Sequence, residues 1–299
     1  MKKTVVGLGE ILWDMLPGDM HLGGAPANFA YITRLLGDEG IVASRIGSDP
    51  LGDAAKARME ALGLSTSFLQ KDAVHPTGVV DVEVDAAGNP RFNIAASSAW
   101  DYLEWTEEWK RLAEKSDAVC FGSLAQRSPQ SRDTIYRFVG AMRPEAVRVC
   151  DLNLRPPFYS AEILNESMKL ADIVKMNDDE LPEVMSLAGF PHQDEKSSAL
   201  RLVELFDLRL ACVTRGCKGS LLMSRNDYNE QPGFLVKVAD TVGAGDAFTA
   251  TLVHEFMRGD SLAIMNEKAN AVGAWVASQV GATPAPKDGI LERSLAEIF

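Results

Sequence analysis

The chain has 299 residues, of which 46% are hydrophobic and 24% charged, a globular composition long enough for one large α/β domain. Its formal net charge of −12 argues against nucleic acid or an anionic membrane surface as a partner, and any polyphosphate site must be locally cationic or bridged by metal. No apolar stretch approaches a membrane span, and the opening Met-Lys-Lys, followed by a few apolar residues before Glu10 and Asp14, does not read as a signal peptide.

A first strand is expected over residues 4–8. Gly7-x-Gly9 behind it lacks the third glycine of a dinucleotide fingerprint, because Leu12 stands there and Pro17-Gly18 break any helix. Gly23-Gly24-Ala25-Pro26-Ala27-Asn28 opens a helix over 27–36, with paired glycines that permit a ligand to approach and Asn28 able to donate and accept toward hydroxyls. A strand over 40–46 and a helix over 52–62 follow. Residues 80–85 then alternate valine with acid, 86–90 form a turn, and 91–95 return as a second strand. This half-exposed antiparallel hairpin lies outside the buried sheet. Together with the segment around 13–22 it is expected to form a lid over a site or a face for a second subunit.

Short, continuously apolar runs at 118–121, 147–150, 171–176, 210–213 and 220–223 suit strands buried on both faces, with helices at 132–142 and 197–206 between them. Strand and helix alternate, so the fold class is α/β with a mostly parallel sheet. The strand ends carry Glu10, Ser123, Asp151-Leu152-Asn153-Leu154-Arg155, Asn177-Asp178-Asp179-Glu180 and Thr214-Arg215-Gly216, which converge on the carboxyl edge where open α/β sheets bind ligands. Cys120, Cys150, Cys212 and Cys217 have no zinc spacing and read as reduced thiols of a cytoplasmic protein.

Asp240-Thr241-Val242-Gly243-Ala244-Gly245-Asp246 precedes a helix over 246–257. Glycines at a helix N-terminus let main-chain N–H groups point at an anion, and Asp246 stands beside them as a proton acceptor. Two readings of Asp246 remain open on these residues alone: base for phosphoryl transfer, or a helix cap.

Residues 23–47 and 240–253 resemble the two signatures of the ribokinase-like, PfkB-type carbohydrate kinases. Thr251 departs from the small residue usual in the family, and a packing effect is expected there. The resemblance covers essentially the whole chain. It implies a single domain over 1–299, a three-layer α/β/α doubly wound sheet, and a small β lid from about 12–22 and 77–100. It also implies that Asp246 is the base and that the amides of Gly243, Ala244, Gly245 and Asp246 hold the γ-phosphate of ATP. By the same resemblance Asn177 and Glu180 position Mg2+ through water, Arg155 approaches the phosphates, and Thr214, Gly216 and Asn270 lie on the nucleotide side. Asp14, Gly24 and Asn28 match sugar-contacting positions, while Asp240 and the segment near Gly281 match loops that hold a monovalent cation such as K+ in some members.

The wording Gly-Gly-Ala-Pro-Ala-Asn and Asp-Leu-Asn-Leu-Arg-Pro-Pro is most similar to fructokinases, so D-fructose and ATP are the expected substrates, with a homodimer formed through the lid. The alternatives are 2-keto-3-deoxygluconate kinase, ribokinase, nucleoside kinase, or a non-catalytic sugar- or nucleotide-binding regulator.

Overall fold

Strands with few polar residues dominate the middle of this molecule because both of their faces are covered by helices. The computed structural model describes residues 2–16, 18–84 and 90–286. The turn expected at 86–90 lies outside the described residues except for Pro90, as does Pro17.

In chain order the strands are β1 (Thr4–Leu8), β2 (Leu12–Leu16), β3 (Asp19–Gly23), β4 (Glu39–Gly47), β5 (Leu69–Asp72), β6 (Gly78–Val84), β7 (Pro90–Ile94), β8 (Ala118–Gly122), β9 (Val147–Asp151), β10 (Ile173–Asn177), β11 (Leu210–Thr214), β12 (Ser220–Met223) and β13 (Tyr228–Gln231). The helices are α1 (Ala25–Leu35), α2 (Pro50–Ala61), α3 (Glu107–Lys115), α4 (Pro129–Ala141), α5 (Ala161–Leu170), α6 (Leu181–Leu187), α7 (Glu195–Phe206), α8 (Ala244–Arg258) and α9 (Leu262–Ala277).

The main sheet runs β13-β12-β11-β10-β9-β8-β1-β4-β5. It is parallel from β11 to β5, and the expected doubly wound architecture is present. The run at 220–223, grouped above with the parallel strands, is antiparallel to β11 and leads into β13, also antiparallel, at the edge. A linker of a few residues between β11 and β12 has no room for a crossover helix, which explains the direction.

Side chains alternate across the sheet. Val6 and Leu8 of β1 enter a core shared with α3–α7, while Val5 enters a second core shared with α1, α2, α8 and α9. These two cores make the three layers. Trp105 and Trp109 are packing residues: Trp109 is fully buried, and both meet Phe138 edge-on. Cys120, Cys150 and Cys212 are buried in the sheet, and Cys217 is exposed. Thr251, the departure from the family pattern, is buried and donates its hydroxyl to the carbonyl of Ala247 one turn back.

A second, four-stranded sheet runs β3-β2-β6-β7. Its β2–β3 hairpin comes from the segment at 13–22, and β6–β7 is the hairpin of alternating valines and acids. β2 and β6 run parallel and join the two hairpins. The valine face is not wholly open, since Val80 is only 4% exposed. Residues 99 and 100, at the end of the segment 77–100 expected in the lid, begin a short 3-10 turn over 99–102, where Trp100 is fully buried in the core beside the main sheet.

The helix starts explain where a ligand fits. α2, α3, α5, α7 and α9 are closed by side chains of Asp49, Thr106, Ser160, Asp194 and Ser261 that accept from first-turn amides. Among the described residues α1, α4, α6 and α8 have no side-chain cap; α4 and α6 begin at Ser128 and Glu180, whereas α1 and α8 begin at Gly24 and Gly243. Their leading N–H groups have no intrahelical acceptor.

Candidate active site

The two glycine motifs, distant in sequence, meet in space. Asn28 in the first turns of α1 donates its Nδ2 to Oδ2 of Asp246 at 2.8 Å, across 218 residues of chain. Asn28 is 4% exposed, and its Oδ1 is buried without a hydrogen-bond partner among the described residues. Asp246 stands at the third position of α8, and its recorded partner is Asn28, so the capping alternative is not the role its carboxylate takes. Burial, then the charge of Asp151, pushes the Asp246 carboxyl up to about 6, against the opposing pull of Asn28, Lys175 and Arg155.

The glycines have separate reasons. Gly243 adopts φ 78, and a Cβ on it would lie 2.4 Å from that of Ala282. Gly24 adopts φ 109 and would drive a Cβ to 2.5 Å from the carbonyl oxygen of Glu10. A Cβ at Gly245 would meet Nζ of Lys175 at 3.1 Å. Under the turn, Lys175 reaches Oδ1 of Asp151 at 3.1 Å, and the Thr249 hydroxyl donates to the other oxygen, Oδ2, at 2.8 Å.

Asn177 and Glu180 bind each other at the carboxyl end of β10. The Asn177 amide donates to Oε2 of Glu180 at 2.9 Å, and the Glu180 amide donates to Oδ1 of Asn177 at 2.7 Å. Oε1 of Glu180 accepts from the Leu154 amide at 2.7 Å, so this buried carboxylate ties the Asp-Leu-Asn-Leu-Arg loop to β10. Each oxygen retains a lone pair for a metal-bound water, whereas direct ligation would compete with these amides. Glu180→Ala is expected to lower thermal stability by about 1–3 kcal/mol by leaving two amides unpaired, and to raise the Mg2+ needed for half-maximal rate; both are read from melting curves and metal titration.

Asp14 on β2 lies within electrostatic reach of Arg155. Burial pushes its carboxyl up, opposed by His21 and Arg155. Arg155 is exposed, donates to the carbonyl of Leu154, and acts electrostatically on Asp14, Glu10 and Asp246. Thr214 ends β11 opposite Asn177, and Gly216, at φ 55, follows it with open space around its Cα. Asp240 accepts from the amides of Val242 and Gly281, closing the loop at 240–242 onto the segment after α9.

Asn270 is a buried residue of α9. Its Nδ2 is committed to Ser220 Oγ at 2.6 Å and to the carbonyl of Asn266, bracing α9 against β12. Its i, i+4 partner Asn266 and Ser220 on β12 explain this, and nothing about a lone asparagine in a helix reveals them.

Lys175 and Thr249 are residues beside Asp246 that the sequence did not single out, and Glu10 and Asp151, expected there only as strand-end residues, stand beside it too. Glu10 is 6% exposed and burial pushes its carboxyl up to about 7. The signal for Lys175 was a charge inside an otherwise apolar strand run, Ile173-Val174-Lys175-Met176.

Uncapped amides at a helix start, a carboxylate with raised basicity and a brace for metal-bound water make a site for phosphoryl transfer to an alcohol. Residues 18–288 match the family described as pfkB family carbohydrate kinase, and the chain belongs to that family. It is therefore a carbohydrate kinase. A sugar kinase of Pyrococcus horikoshii is 29% identical over 96% of this chain and 94% of its own. The crystal structure of that protein superposes with a TM-score of 0.84, covering 98% of both chains at 26% identity. A fructokinase of Escherichia coli is 29% identical over 85% of this chain and 84% of its own. A fructokinase double mutant of Vibrio cholerae O395, solved with fructose, ADP and potassium ion, superposes with a TM-score of 0.82, at 26% identity over 98% and 97% of the chains.

Proposed function

We propose that this chain transfers the γ-phosphoryl group of MgATP to the hydroxymethyl group of D-fructose, giving fructose 6-phosphate. The observation that carries the reading is the 2.8 Å contact between Asn28 and Asp246, which joins a sugar-side loop to a phosphate-side loop around one basic carboxylate. Fructokinases among the relatives support the choice of sugar.

The acceptor hydroxyl sits against Asp246, and the other sugar hydroxyls lie between Asp14 and Asn28, whose Oδ1, unpartnered among the described residues, accepts from one of them. The amides of Gly245 and Asp246 face the transferred group, and the glycine at 243 sets their direction. As the acceptor oxygen bonds to the γ-phosphorus, the bond from that phosphorus to the bridging oxygen breaks and ADP leaves, while the hydroxyl proton passes to the Asp246 carboxylate. Positioning dominates, because a loose transition state demands late proton transfer. Burial, together with the charge of Asp246, pushes the Glu10 carboxyl up to about 7, so near neutrality it is partly protonated and its repulsion on the ionised Asp246 is reduced. Mg2+ neutralises charge on the phosphates when bound, and Asn177 and Glu180 would hold its waters. Thr214 and Gly216 line the nucleotide side, Arg155 reaches toward the phosphates, and Asp240 with the turn at Gly281 is the place for K+. The small sheet serves as the lid and as the face of a homodimer; the enzyme works in the cytoplasm, where its thiols stay reduced.

A kinetic screen of D-fructose, ribose, 2-keto-3-deoxygluconate, nucleosides and other hexoses with MgATP tests the reading. D-fructose is expected to give the highest kcat/KM. A sugar acid in first place would instead assign Arg155 to a substrate carboxylate, and no turnover on any sugar would favour a regulator.

The pH profile offers a second check. The base must be ionised, and its carboxyl is pushed up to about 6. The rate kcat/KM is therefore expected to fall about tenfold per unit as pH drops below about 6. A flat profile down to pH 4.5 would remove Asp246 from the role of base.

A further inference from the structure

We propose that Lys175 is a positioning residue for phosphoryl transfer: its ammonium, anchored by Asp151, sits beneath the turn at 243–246 and sets both the depth of that turn and the charge under it. The proposal rests on the kinase reading of the turn and adds a residue to it.

Glycine at 245 is not required by backbone conformation, since Gly245 is not among the positive-φ glycines. The space a side chain would take is bounded by Nζ of Lys175, 3.1 Å from an added Cβ. The second glycine of the motif thus leaves room for a cation, and a side chain there would meet the ammonium.

The ammonium is held in place from three elements. Lys175 projects from β10, Asp151 ends β9, and Thr249 on α8 donates to the second oxygen of Asp151. The Thr249 hydroxyl also lies 3.0 Å from the carbonyl of Gly245, so the pair is fixed to the helix that carries Asp246. The Lys175 and Asp151 side chains are only 9% and 5% exposed. Such a pair is a poor way to add stability, because desolvation offsets much of the attraction and well-packed apolar residues commonly serve as well or better. Its use here is to place a fixed positive charge beside amides that bind an anion and a carboxylate that must be ionised to act.

The groups facing Asp246 are Glu10 after β1, Asn28 on α1, Cys120 on β8, Asp151 on β9, Arg155 in the loop after it, and Lys175. Among these, Arg155 is exposed, whereas Lys175 is buried.

The test compares wild type with Lys175→Met and with the double variant Asp151→Asn/Lys175→Met, which leaves no unpaired buried charge and keeps the question open to measurement if the single variant fails to fold. The affinity of MgATP is read by calorimetry, without turnover. The double variant is expected to bind MgATP about tenfold more weakly, to bind the preferred sugar within about threefold of wild type, and to lose about 10²-fold in kcat. In Lys175→Met the acid limb of kcat/KM moves to higher pH, because a cation that favours ionised Asp246 is gone. A double variant with wild-type MgATP affinity would overturn the proposal and leave the pair a mere bolt between β9, β10 and α8. A wild type that binds MgATP but phosphorylates no sugar would sink the sugar-kinase reading, and the calorimetric comparison would still decide the part played by Lys175.

Discussion

Asp246→Asn is expected to lose at least about 10²-fold in kcat while sugar and MgATP affinities stay within a few-fold of wild type. The amide is isosteric, and its Oδ1 still accepts from Asn28 Nδ2, so the geometry of the contact survives. What disappears is the ability to take a proton. The same variant is expected to be more stable than wild type at pH 8. The folded-state carboxyl titrates at about 6, above the ordinary value of 3.8, so the ionised form is disfavoured by folding. That penalty is fully present above the folded value, fades as pH falls through 6, and is gone below the unfolded value. Replacing the carboxylate is therefore expected to add on the order of 1 kcal/mol at pH 8 and little at pH 4. An inactive variant with lower stability at pH 8 would mean that Asp246 holds the fold together; an active one would mean that another group is the base.

Gly243→Val is expected to weaken MgATP binding by more than tenfold and to lower the melting temperature by several degrees. At φ 78 the backbone is left-handed, which costs a β-branched residue more than about 1–2 kcal/mol. The added Cβ would also stand 2.4 Å from the Cβ and 2.7 Å from the Cα of Ala282. The segment around Ala282 must move, and the amide of neighbouring Gly281 is held by Asp240. The amides at the head of α8 would turn with it. Gly243→Ala should show most of the loss, because the first carbon makes the clash. Wild-type MgATP affinity in Gly243→Val would place the phosphate elsewhere.

The layers were legible because a strand buried on both faces must be largely apolar: 118–121 and 210–213 are so throughout, and 147–150 but for Arg148. Strand direction was less so: Ser220–Met223 has the same apolar content as its parallel neighbours, and only its short linker sets it antiparallel. In the site, Asn28 and Asp246 carry their chemistry in residue type and motif, so both stood out in sequence. Lys175, Thr249 and Asp151 act through a contact made between β10, β9 and α8, and a hydrophobic pattern with one lysine in it does not say which carboxylate faces that lysine. Asn270 likewise acts through contacts its motif does not show: Ser220 and Asn266 take its amino group.

A crystal structure of the ternary complex with a non-hydrolysable MgATP analogue and D-fructose tests the central claim most directly. The account predicts the terminal phosphate on the amides of Gly245 and Asp246, with the 6-hydroxyl of the sugar within hydrogen-bond distance of the Asp246 carboxylate and in line with the phosphorus. A terminal phosphate seated away from the start of α8, or an acceptor hydroxyl with no contact to Asp246, would contradict it.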